Sequence, residues 1–237
     1  MQDLNYSALE RIAVPRPTDR LTYLERCAEG KLVFDLGALD ETAYQAKQTT
    51  RHWLHARLCG AARKVVGIDN SSLVPDAGLA TAENGIIVRE NIFDLHPVVE
   101  KHGKPDLIVA GELIEHLPDT SALLASLKAT PSLQGVELLV TTPNACCWHN
   151  GLVGLVGMES MHKDHLQIYS YKTLRTLFER SGIKIEALLP YRARFPEMIE
   201  GRSAATSVAA RAFQSIVNGL ELVSPILSAG WIVRARI

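Results

Sequence analysis

The stretch KLVFDLG, residues 31–37, decides the fold: a short apolar run that closes on an acid and a glycine. A strand covered on both faces has no side to show to water, so it reads as continuous hydrophobic sequence rather than as an alternation. Working outward, KVVGID at 64–69 repeats the pattern and again ends in an acid, and between the two runs the stretch 48–58 sets Trp53, Leu54 and Leu58 at helical spacing. Strand, helix, strand is a βαβ unit, because parallel neighbours need a long crossover to return the chain to the same end of the sheet.

The alternation continues through IIV at 86–88, DLIVAG at 106–111 and VELLVTT at 136–142, with the helical pattern TSALLASLKA at 120–129. A helix is predicted over 171–181, closed by Gly182, then a strand over 183–189 and a last strand at WIVRAR, 231–236. This order predicts an α/β domain: a mostly parallel sheet with helices on both faces. Residues 1–30 form a helical lead-in broken by Pro15 and Pro17, and residues 190–230 a helical insertion before the last strand, packed on the sheet or closing a pocket. The 237 residues, 47% of them hydrophobic, suffice for one core, so 1–237 reads as a single domain.

Composition narrows the partners. A formal net charge of -1 with scattered Lys and Arg lacks the basic tract that a phosphate backbone requires, which makes nucleic acid an unlikely ligand. The 4 cysteines, Cys27, Cys59, Cys146 and Cys147, form no CxxC pair, and the vicinal two bridge only under strain; reduced thiols and a cytoplasmic location are expected. Neither an export signal nor a membrane-spanning run is visible, so the reading is a monomer or homodimer acting on a small molecule, with no membrane partner.

In open parallel sheets ligands bind at the carboxyl ends of the strands, near the point where strand order reverses. Asp35 and Gly37 stand there after the first strand. Asp69 ends the second, where a carboxylate accepts from both hydroxyls of a ribose or, with Ser71 and Ser72 following, caps a helix. Asp40 and Glu41 would crowd a pyrophosphate with negative charge, so no affinity for NAD or NADP is expected; a positively charged sulfonium cofactor meets no such obstacle.

Taken together these segments resemble the class I, Rossmann-like S-adenosylmethionine-dependent methyltransferases along nearly the whole chain. FDLG is similar to their first motif, GIDNS to the ribose motif and RENIFDL to the adenine-side motif; DLIVAGELIEHLPD, TTPNA and YSYKTLRTLFERSGIKI resemble the later ones. The resemblance implies a doubly wound sheet of seven strands with the last antiparallel. It also implies S-adenosylmethionine as cofactor, with Asp35, Gly37 and Ala38 toward its methionine, Asp69 and Asn70 toward its ribose, Asn91 and Ile92 at the adenine edge, and Gly111 beside it. The chain departs from the family at 38–41, where Ala-Leu-Asp-Glu replaces further glycines; Trp53, just beyond, reads as core.

The richest chemistry lies in GELIEH at 111–116. A helical turn there would gather Glu112, Glu115 and His116 on one face, a plausible divalent-metal corner. Followed by HKDHLQ at 162–167, the Glu-x-x-Glu-His element resembles that of metal-dependent small-RNA terminal 2'-O-methyltransferases and, more loosely, ubiquinone-pathway O-methyltransferases. That resemblance implies Glu112, Glu115, His116 and His165 as ligands for magnesium, with manganese or zinc as alternatives. Many class I methyltransferases carry a similar Glu-His-Leu without metal, and Glu112, His149, His162 and His165 are then candidates for a catalytic base, with Asp164 beside them. The acceptor expected is a diol, foremost a saccharide; a terminal RNA ribose, a catechol-like quinone precursor held by GLVGLVGM at 151–158, or a non-catalytic methyltransferase-like binding subunit are the alternatives.

Overall fold

The computed structural model describes residues 9–39, 52–199 and 203–237. Asp40, Glu41 and the front of the 48–58 helix lie outside the described residues. The sheet is built on β1 (Leu32–Leu36), which pairs in parallel with β2 (Lys64–Asp69) on one side and β5 (Leu107–Gly111) on the other. Outside β2 runs β4 (Gly85–Arg89), also parallel, and outside β5 runs β6 (Glu137–Pro143). Strand β8 (Gly230–Arg236) lies antiparallel between β6 and β7 (Lys184–Tyr191).

The mostly parallel α/β sheet read from the sequence is thus present, with its late antiparallel strand. The strand count differs. An additional short strand, β3 (Leu79–Ala82), folds antiparallel onto β4 and makes the order β3-β4-β2-β1-β5-β6-β8-β7, eight strands rather than seven. Its sequence, LATA, is half-exposed along its length and carries no apolar face that would mark it as a strand.

Both faces of the sheet are covered, which explains the unbroken apolar runs. Phe34, Leu36, Ile68, Ile108 and Leu138 pack under α4 (Thr120–Ala129) and α6 (Tyr171–Ser181), while Val33, Val65, Val109 and Leu139 pack under α1 (Arg20–Ala28) and α2 (Leu54–Ala61). The helix starts are fixed locally: Asp19 accepts from the Thr22 N–H at 3.1 Å, Asp119 from that of Ala122 at 2.9 Å, and Ser170 with Thr173 closes a capping box. Gly182 ends α6 in the left-handed conformation at φ 71°, as the sequence suggested. A shorter helix, α3 (His96–His102), links β4 to β5.

Two connections gather at the carboxyl ends of the strands. After β6 the chain forms α5 (Trp148–Gly154) and the loop down to Tyr169; after β7 it forms α7 (Pro196–Ile199) and the long α8 (Ala204–Val223) before re-entering the sheet at Gly230. Because β8 runs antiparallel, both its start and the end of β7 lie at this same end, so α8 roofs the sheet instead of crossing it. Among the described residues no helix is long and apolar enough to cross a membrane.

Candidate active site at the strand ends

The strand order reverses at β1, where the carboxyl ends of β1, β2, β4 and β5 lie side by side. Gly37 turns the chain there with φ 71°, and a Cβ at this position would lie 2.8 Å from Leu113 Cδ1; only glycine fits both the angle and the space. Asp69 receives the loop that follows: Oδ2 accepts from the Leu39 N–H at 2.9 Å and Oδ1 from the Ser71 N–H at 3.0 Å. Each carboxylate oxygen has a second lone pair, so ribose hydroxyls remain within its capacity. The Ala38 carbonyl accepts from Trp53 Nε1 at 3.0 Å, which places Trp53 in the core beneath the loop, as expected. Asn70 is exposed beside Asp69, while Asn91 forms its own turn, its Oδ1 accepting from the Phe93 N–H at 2.9 Å, with Ile92 half-buried next to it.

Asp35 is placed differently from a residue facing ligand. It is buried, and its Oδ2 lies 3.0 Å from Nδ1 of His55, which is itself wholly buried and bonds through Nε2 to Thr81 Oγ1 at 2.9 Å. Burial, the largest single influence, works against charge on the ring, but the hydrogen bonds to Asp35 and Cys59 and their charges together outweigh it and lift the His55 pKa to about 9. Burial pushes the Asp35 carboxyl up, with the bond to His55 acting against it. Nothing in the local sequence marks His55 as the partner: the two are 20 residues apart and meet only because α2 packs on β1.

At the end of β5, Glu112 adopts φ 53°, the sole positive φ at a non-glycine among the described residues. This breaks the turn before it becomes a helix, and only Ile114–His116 form a short 3-10 turn. The single helical face expected to carry Glu112, Glu115 and His116 is therefore absent. Glu112 instead accepts from the Tyr191 hydroxyl, 3.1 Å from each carboxylate oxygen, and stands 3.8 Å from Arg20 Nη1. Arg20 also donates to Thr141 Oγ1 at 3.4 Å, lies over the Tyr191 ring, and passes close to Gly111. Tyr191 spans the sheet top across Gly230, where any side chain would intrude on its ring. Burial, with Glu112 adding to it, drives the Tyr191 pKa well above 10, so the hydroxyl stays a donor. Neither Arg20 nor Tyr191 is distinguishable in the sequence as a site residue, since each comes from an element far from GELIEH.

Glu115, His116 and His165 do come together: one ligand atom from each lies within 4.8 Å of the others. Glu115 is fully buried, and both its carboxylate oxygens lack a hydrogen-bond partner. Burial, then the nearby Glu112 charge, holds its pKa well above the usual carboxylate value. The Glu115 carbonyl accepts from the N–H groups of Leu166, at 2.8 Å, and Gln167, at 3.2 Å, which docks the His165 loop on the β5 end. His116 Nδ1 is 3.2 Å from the Asp164 carbonyl; since a carbonyl only accepts, Nδ1 is a donor, which leaves Nε2 as the ring atom to face a ligand. His165 Nδ1 is buried without a partner, and burial lowers its pKa, with His116 and His162 adding to the effect, so the ring is neutral and able to ligate. A buried carboxylate with no partner beside two imidazoles fits a divalent cation.

His162 borders this group, its ring 5.6 Å from that of His165, and pairs with Asp164 at 3.6 Å. His149 lies apart on α5, stacked edge-on against Phe195 at 5.8 Å and 3.4 Å from Cys147 Sγ.

Comparison with known proteins agrees with this architecture. A family model described as "Methyltransferase domain" matches residues 17–188. Among curated proteins none matches in sequence. Among solved structures, the small RNA methyltransferase HEN1 superposes with a TM-score of 0.53 at 13% identity, covering 96% of this chain and 27% of that one. The methyltransferase domain of a bacterial Hen1, CtHen1-CN, gives 0.51 at 14% identity over 92% and 98% of the two chains. The [4+2]-cyclase SpnF gives 0.52 at 14% identity over 92% and 80%. At these identities the likeness is one of fold, and the cyclase shows that this fold hosts more than one reaction.

Proposed function

Because the chain belongs to the methyltransferase domain family and is a class I S-adenosylmethionine-dependent enzyme, we propose that it methylates a hydroxyl of a diol-bearing acceptor, foremost a saccharide, with a divalent cation held by Glu115, His116 and His165. The observation that supports this reading is the buried Glu115 carboxylate, whose two unpartnered oxygens lie beside the two histidines. A cation held by these residues would supply Lewis acidity that makes a coordinated hydroxyl a better proton donor. Two imidazoles and one carboxylate suit manganese or zinc better than magnesium, which prefers all-oxygen octahedral surroundings.

The remaining roles follow from position. S-adenosylmethionine supplies an electrophilic methyl group on a sulfonium. Asp69 accepts from its ribose hydroxyls, and Arg20, at the β5 end with donors to spare, meets its carboxylate. Glu112, held by Tyr191 and outside the three-residue group, is the carboxylate we assign to receive the acceptor's proton. A terminal RNA ribose, the diol suggested by the small RNA methyltransferase among the structural neighbours, needs a basic tract that a chain of net charge -1 does not supply.

The test combines metal uptake with turnover. Manganese binding by calorimetry should be lost in His165→Ala, and chelation should stop methyl transfer to a panel of sugars while leaving S-adenosylmethionine affinity intact; excess manganese should partly restore the variant. Full turnover in chelator, with no metal taken up, overturns the cation's role.

A further inference from the structure

Helix α8 turns polar side chains toward the body of the fold, and each of them reaches backbone. Gln214, Asn218 and Glu221 stand at helical spacing on the same face as the buried Val217. Gln214 Oε1 accepts from the Phe195 N–H at 2.9 Å. Glu221, wholly buried, accepts from the Ala193 N–H at 2.9 and 3.2 Å through its two oxygens, and from the Ala229 N–H at 2.9 Å. With its amide turned so that the nitrogen meets acceptors, Asn218 donates to Glu221 Oε2 at 3.0 Å and to the Ala193 carbonyl at 3.1 Å. The pair thus grips both polar groups of Ala193, just past the end of β7, and the N–H of Ala229, just before β8.

Every group that meets the Glu221 carboxylate is an N–H donor, so the clamp needs an acceptor-only side chain; a protonated carboxyl would set a hydroxyl against donors. What the clamp holds lies beside the site. Tyr191 and Gly230, partners across the sheet, stand next to the gripped peptides at 193 and 229. The end of β7 also seats the segment that leads into Arg20: the Thr18 N–H donates to the Pro190 carbonyl at 3.0 Å, and the Arg192 N–H donates to the Thr18 carbonyl at 2.9 Å. Arg194 repeats this tie with a 2.8 Å ion pair to Asp19, the cap of α1. A contiguous run of hydrogen bonds therefore joins Glu221 to the backbone that places both Tyr191 and Arg20.

We propose that Glu221 is a positioning residue for cofactor binding: its carboxylate fixes the end of β7 and, through it, the Tyr191 ring and the Arg20 guanidinium. The inference rests on the reading of Arg20 as partner of the S-adenosylmethionine carboxylate. Burial pushes the Glu221 carboxyl up to about 7, against the pull of the Ala193 and Ala229 N–H groups and the Arg192 charge. The clamp is accordingly complete above neutral pH and loses an acceptor below it. The other ionisable groups on the elements packed here keep one state through this range. Arg192 is a fixed cation, and Arg194 is paired with Asp19. Burial raises the already alkaline pKa values of Tyr23, Tyr191 and Cys147, and it lowers that of His149, which leaves the ring neutral near pH 7.

Calorimetric titration of S-adenosylmethionine into the full chain tests the link. Affinity is expected to rise by about fivefold or more from about pH 6 to about pH 8, as Glu221 loses its proton. Glu221→Gln, which resembles the protonated carboxyl in offering one acceptor oxygen, should keep the weaker affinity throughout and lose the rise. A merely structural role would lower stability without removing the pH dependence of binding. Where that variant does not fold, NMR of the parent decides: the Ala193 and Ala229 amide protons should shift with the same midpoint as the affinity. Three results overturn the proposal: affinity that is flat across this range, a rise that Glu221→Gln retains, or amide shifts that do not follow the affinity. A folded protein that binds no S-adenosylmethionine at any pH removes the cofactor assignment itself, and the positioning role falls with it.

Discussion

The imidazole of His55 meets the carboxylate of Asp35 at 3.0 Å with both side chains shut away from solvent, tying the first turn of α2 to the middle of the sheet. Raising the His55 pKa from 6.5 to about 9 makes folding favourable to the charged ring. The stabilisation is complete below pH 6.5 and is lost as pH rises through about 9; it amounts to about 3 kcal/mol at most, less whatever Asp35 loses by its own burial. Melting temperature should therefore fall between these limits in the parent protein and stay flatter in Asp35→Asn/His55→Gln. Equal pH profiles for the two would show that the pair carries no charge. His55→Ala alone should destabilise strongly, by about 3–5 kcal/mol, because it strands a buried carboxylate.

Asp69 serves the loop and the ligand at once. Asp69→Ala removes the acceptor for Leu39 and Ser71 along with that for the ribose, so S-adenosylmethionine affinity should drop at least tenfold, about 1.5–3 kcal/mol. Calorimetry on the folded variant measures this directly. An unchanged dissociation constant takes Asp69 out of the cofactor site.

Glu115 opposes stability when no cation is bound. Its raised pKa means that its contribution is best below the ordinary carboxylate pKa and worsens as pH climbs above it. In chelator at neutral pH, Glu115→Gln should melt higher than the parent, by an amount equivalent to about 1–3 kcal/mol, and it should no longer gain stability from manganese. A variant that melts lower in chelator, or that still responds to manganese, contradicts the cation site.

Gly230 is required by Tyr191. Gly230→Ala puts a methyl group into the ring, and the repacking should cost about 1–3 kcal/mol in a chemical denaturation curve. Because the displaced ring no longer holds Glu112, turnover should fall together with stability. Tyr191→Phe, which keeps the ring and loses the hydroxyl, should lower turnover with a much smaller change in stability. Equal stability losses in the two variants would mean that the hydroxyl, not the ring, fills the space.

What the sequence disclosed and what it hid divide along physical lines. Strands buried on both faces announce themselves as apolar runs, and capped helices such as α4 and α6 carry their own punctuation, so the α/β order and the residues ending each strand were legible. The edge strand β3 was not, because LATA has no buried face to pattern. Glu115, His116 and His165 are recognisable in sequence as metal-binding types; Glu112 joins them through the family resemblance and a helical turn, which the positive φ at Glu112 replaces. The left-handed backbone at Glu112 depends on Thr141, whose carbonyl and hydroxyl both accept from the Glu112 N–H, and on Tyr191, and no local sequence signal anticipates either. Partners of this kind, Arg20 and His55 included, are created by packing between distant elements.

The insertion of β8 between β6 and β7 has a consequence for how the chain is made. Both neighbours precede β8 in the order of synthesis, so a nascent chain carries β6 and β7 with unpaired N–H and C=O rows until residues 230–236 leave the ribosome. Exposed strand edges recruit other strands. The interval before β8 emerges is thus the stage at which a chaperone has most to protect, and a chain stopped short of residue 230 should accumulate as aggregate and not as a smaller folded domain.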